Sequence, residues 1–107
     1  MSDASQIVIP PSFVALFLTP GRTRPQAGRE HIAQRYELCE DLASALTEPA
    51  KTEQWSSGAT EADVLQRMHR GLSADAAGLS SAEAVWVVRR LAELLEWPDP
   101  GPASMQL

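Results

Sequence analysis

The sequence predicts an all-α fold: a small bundle of three main helices, one or two short helices, and disordered termini. Three observations carry this. Long segments repeat apolar residues at three- and four-residue steps, the spacing that gathers side chains on one face of an α-helix. Capping residues and helix breakers bracket those segments. No stretch shows the alternation of a half-buried strand, and no internal repeat occurs. The 107 residues suit one domain. We divide it into a flexible start at 1–6, a helical domain at 7–97 with a linker at 20–28, and a disordered tail at 98–107.

After the polar start comes IVIPPSFVALFLTPG, from Ile7 to Gly21. Ile7 to Ile9 reads as extended. Pro11 suits the first turn of a helix, where its missing N–H is no loss. Ser12 to Leu18 then makes about two turns, ended by Pro20 and Gly21. Phe13, Val14, Leu16, Phe17 and Leu18 surround such a helix, so it either enters the core or offers a docking surface. A strand is the alternative, since periodicity does not decide over so short a run. Gly21 to Arg29 reads as a solvated linker, with a small anion or partner contact through Arg22, Arg24 and Arg29 as the functional alternative.

The next helix runs from about Arg29 to Thr47. Ile32, Tyr36, Cys39, Ala43 and Leu46 form its seam, broadened by Leu38 and Leu42, with Glu37, Glu40, Asp41 and Ser44 opposite. Glu48 before Pro49 predicts a break. Pro49 to Ser57 resumes as a short helix, with Trp55 facing inward and Gly58 as a left-handed cap. Thr60 caps the following helix to Leu72, with Asp63 at the third position and Glu61 near the positive end of the dipole. Val64, Leu65, Met68 and Leu72 make its apolar face; Gln66, Arg67, His69 and Arg70 lie outside or at the edge.

Ser73 to Gly78 is a small-residue connector to LSSAEAVWVVRRLAELLEW, Leu79 to Trp97, around which the fold is organised. Ser80 and Glu83 have the capping-box spacing. Ala84, Val85, Val88, Leu91, Ala92 and Leu95 share one face, widened by Val87 and Leu94. Arg89, Arg90, Glu93 and Glu96 are left for water, and Pro98 closes the segment. So wide an apolar face needs partners to cover it.

Composition restricts the function classes. Apolar residues make up 44% of the chain, enough for a modest core. The formal net charge is −5 and the pI about 4.9, a balance repelled by phosphate backbones. Of nine basic residues only Lys51 is lysine. Cys39 is the only cysteine, which excludes an intramolecular disulfide and suggests a buried thiol. MSDASQ lacks the basic n-region of a secretory signal, and the longest apolar run is too short to span a bilayer. A soluble, cytoplasmic chain is expected.

The chemistry sought is mostly missing. Lys51 and Thr52 follow Pro49 and Ala50, with no glycine-rich turn to cradle phosphates. There is no dinucleotide fingerprint. His31 and His69 have no zinc-ligand spacing and read as surface or helix-edge residues. Glu37, Glu40 and Asp41 crowd one helical turn, where paired carboxylates can hold a cation, but a solvated acidic face is the simpler reading. No catalytic residue, cofactor or metal is assigned. Trp86, Arg90, Glu93 and Trp97 lie along one edge of the last helix, where Arg90 can sit between two indoles. Tryptophan and arginine are enriched at binding hot spots, although both indoles also suit a core edge.

Four blocks occur in order between residues 7 and 97: VIPPSFVALF, AQRYELCEDLA, EADVLQRMHRGL and AEAVWVVRRLAELLEW. Together they resemble a small bacterial protein family whose members often carry the label "ATPase with chaperone activity". The resemblance implies a link to an ATP-dependent chaperone system and brings no catalytic residue with it. Without a phosphate-binding loop or an acidic metal-holding strand, the residues argue against ATP hydrolysis by this chain alone.

The leading expectation is a non-enzymatic interaction module, a regulator or adaptor for an unknown protein partner, with self-association as a variant. Its candidate partner-binding residues are Phe13, Phe17, Trp86, Arg90 and Trp97. The rivals are a helix-turn-helix-like nucleic-acid binder using Arg67, His69 and Arg70, and a component or partner of an ATP-dependent chaperone.

Overall fold

The computed structural model describes residues 8–18, 28–74 and 78–101. They are all-α, with no β-strand element among them: α1 (Pro11–Val14) with a 3-10 turn (Ala15–Phe17), α2 (Arg29–Ala45), α3 (Thr47–Ser57), α4 (Glu61–Ala74) and α5 (Ser81–Leu95). No helix among the described residues is long and apolar enough to cross a membrane. The sequence-predicted start at 1–6, most of the 20–28 linker with Arg22 and Arg24, and the end of the tail lie outside the described residues.

The chain divides into two units, one through Leu38 and the other from Cys39 onward. In the first, Pro11 opens α1 as expected, and Phe13 and Val14 both donate to the Pro10 carbonyl. The segment is a helix and not a strand. It is shorter and tighter than predicted, because four α-helical residues give way to a 3-10 turn that ends in extended Leu18. Phe13 is fully buried. Its ring centroid lies 5.5 Å from that of Phe17 and 5.6 Å from that of Tyr36, the latter in a T-shaped pair, while the Phe17 and His31 centroids are 6.0 Å apart. An aromatic cluster thus joins α1 to the first half of α2.

The second unit holds the end of α2 with α3, α4 and α5. Here α4 packs on both α3 and α5. The interior contains Val64, Leu65 and Leu72 from α4, and Ala84, Val87, Val88, Leu91 and Ala92 from α5. Val87, which the sequence put at the margin of the apolar face, is fully buried, and Leu94 is 38% exposed. Cys39 is buried, as its helical pattern implied.

Local hydrogen bonds set the helix ends. The Ser80–Glu83 capping box forms in both directions: Glu83 N donates to Ser80 Oγ at 3.0 Å and Ser80 N to Glu83 Oε1 at 2.9 Å. Thr60 Oγ1 accepts from Asp63 N at 3.1 Å. Gly58 ends α3 in the left-handed region at φ 70°. Beyond α5, Glu96 N donates to the Glu93 carbonyl and Trp97 N to the Ala92 carbonyl at 2.8 Å. This is a Schellman ending with glutamate at the left-handed position, φ 60°.

The break before Pro49 comes earlier than predicted. α2 stops at Ala45 and α3 begins at Thr47. Proline at position 49 has no N–H to continue the ladder, and three residues into a new helix it needs none. Thr47 Oγ1 donates to the Ser44 carbonyl at 2.8 Å, satisfying one acceptor at the end of α2.

Candidate functional site

The largest departure from expectation is Trp55. The sequence placed it inward, yet it is 90% exposed. The cause is helical phase. Ala50 is the buried residue of α3, and Trp55 follows it by five positions, about 140° round the helix. Leu46, Glu53 and Gln54 are half-buried, while Glu48, Lys51, Thr52 and Trp55 share the exposed side. A tryptophan predicts burial by residue type, but in a helix this poor in apolar residues the packing of Ala50 decides.

The platform beneath Trp55 is well tied. Arg67 of α4 forms an ion pair with Glu53 of α3 and also reaches Ser57 Oγ at 3.3 Å. Ser57 Oγ donates to the Glu53 carbonyl at 2.7 Å and accepts from Ala59 N at 3.2 Å. Lys51, one turn before Trp55, pairs with Glu48 at 2.9 Å. Of two Phe, one Tyr and three Trp, only Trp55 is exposed; the others are buried or half-buried.

The predicted edge of α5 is partly assembled. Trp86, Arg90 and Glu93 line one open concavity of about 170 Å³, together with Arg89 and Asp99. Trp97 does not line it. The Arg90 guanidinium is engaged by carboxylates. Nε lies 3.0 and 3.1 Å from the two Glu40 oxygens, Nη2 2.9 Å from Glu40 Oε2, and Nη1 2.8 Å from Glu93 Oε1. Hydrogen bonds to Glu40, then Glu93, hold Arg90 above its ordinary range and so permanently charged. Glu40, read from sequence as solvated, is in fact a half-buried partner of a residue 50 positions away.

Arg89 makes a second fork. Its Nε and Nη2 donate to Asp99 Oδ1 and Oδ2 at 3.0 and 2.8 Å. Gly101 N donates to Asp99 Oδ1 at 3.1 Å, closing a turn. The arginine and this N–H keep the Asp99 carboxyl below the usual aspartate range, and the carboxylate in turn raises Arg89. Residues 98–101, which the sequence assigned to the tail, are thereby tied back to α5. An acid ten residues downstream leaves no periodic signal, so sequence reasoning missed this pair.

The remaining candidates fall elsewhere. Phe13 and Phe17 belong to the aromatic cluster of the first unit, and a fully buried Phe13 offers no surface. Arg67 is committed to Glu53, His69 lies 3.3 Å from Ser73 Oγ, and Arg70 is exposed. Among the described residues no three His, Cys, Asp or Glu side chains come together as a group able to hold a metal ion. No protein-family model, curated protein or solved structure matches the chain.

Proposed function

We propose that this chain is a non-catalytic protein-interaction module, an adaptor or regulator that docks a partner through the outward face of α3 with Trp55 as its anchor. The observation that carries the reading is the 90% exposure of Trp55 on a helix fixed by capping and ion pairs. An indole offers roughly 150–250 Å² of contact area, worth about 4–6 kcal/mol of gross driving force if covered. Association costs consume much of that, so neighbouring contacts from Lys51 and Thr52 belong to the same surface. Phe13 moves from the candidate anchors to the core, while Trp86, Arg90 and Trp97 remain secondary candidates.

In this proposal the setting is the cytoplasm, and nucleic acid is disfavoured by the net charge of −5. The resemblance to proteins labelled as chaperone ATPases fits as a partner of such a machine, with hydrolysis performed elsewhere.

The test compares wild-type and Trp55→Ala baits in quantitative capture from native lysate, alongside sedimentation at several concentrations. Both proteins are first shown to melt alike. A partner bound by wild type and weakened about thirtyfold or more by the substitution supports the proposal, the loss typical of a hot-spot tryptophan. Dimerisation that the substitution abolishes identifies the partner as a second copy. Identical capture and sedimentation for both baits refute the proposal.

A further inference from the structure

We draw no further inference here: the strongest candidate, the open concavity of about 260 Å³ that Ala62 and Leu65 of α4 share with Pro98 and Pro100 of the turn after α5, carries nothing, because nothing in the structure shows what covers it.

Discussion

Replacing Arg90 with alanine should cost this fold more than replacing Glu40, although both mutations break the same ion pair. The two side chains are 33% and 26% exposed, between the surface pairs that contribute about 0.2–1 kcal/mol and the buried pairs whose rupture costs about 3–5 kcal/mol. Three nitrogen–oxygen contacts to Glu40, at 2.9 to 3.1 Å, define the pair. A coupling of about 1–2 kcal/mol follows from that intermediate position. The single mutants differ because the partners have different alternatives. Glu40→Ala leaves Arg90 with Glu93 at 2.8 Å, and the expected loss is about 1–2 kcal/mol. Arg90→Ala strands a half-buried carboxylate and strips away the aliphatic stem, for about 2–3 kcal/mol. Urea unfolding of wild type, both single mutants and the double mutant at neutral pH yields the coupling, provided the slopes agree. A coupling within the roughly 0.3–0.5 kcal/mol of independent sites, or equal losses from the two single mutants, would refute this reasoning.

Three further predictions follow from the geometry. Glu96→Gly should stabilise the protein by about 0.5–1 kcal/mol, because only the left-handed C-terminal position of α5 is affected and glycine adopts it without a Cβ penalty; a lower melting temperature would contradict this. The lowered carboxyl of Asp99 contributes stability above the ordinary aspartate range and loses it as pH falls through the lowered folded value. With both partners exposed the effect should stay within about 1 kcal/mol, and it should disappear from acid-side melting curves of Asp99→Asn. Phe13→Ala should cost about 3–5 kcal/mol, whereas Trp55→Ala should remain within about 0.5 kcal/mol; thermal unfolding that reverses this order would show the burial of the two rings to be misassigned.

What the sequence revealed depended on how far its signals had to reach. Ser80 with Glu83, Thr60 with Asp63, and Gly58 all form the caps expected of them, because each uses hydrogen bonds spanning a few residues. Proline 49 signalled a break but not its place, since the same residue ends one helix or enters the first turn of the next. Trp55 was misread because residue type was weighed above helical phase, and Ala50 fixes that phase. Glu40 and Arg90 could not be paired from spacing: 50 residues lie between them, and no local period operates over that distance.

The paired arginines show why a helical wheel stops short of a site. Ala84, Val87, Val88, Leu91 and Ala92 define the buried direction of α5. At about 100° per residue, Arg89 and Arg90 fall about 130° from it on opposite sides. By phase alone they are equivalent, and both were expected to face water. Their neighbours separate them. On one side the end of α2 supplies Glu40, and Arg90 becomes a half-buried strut between helices. On the other the chain leaving α5 supplies Asp99 from an exposed turn, and Arg89 holds it in an exposed fork beside Trp86. The asymmetry between a half-buried strut and an exposed tether therefore arises in the tertiary contacts flanking α5, which the apolar period of the helix does not encode.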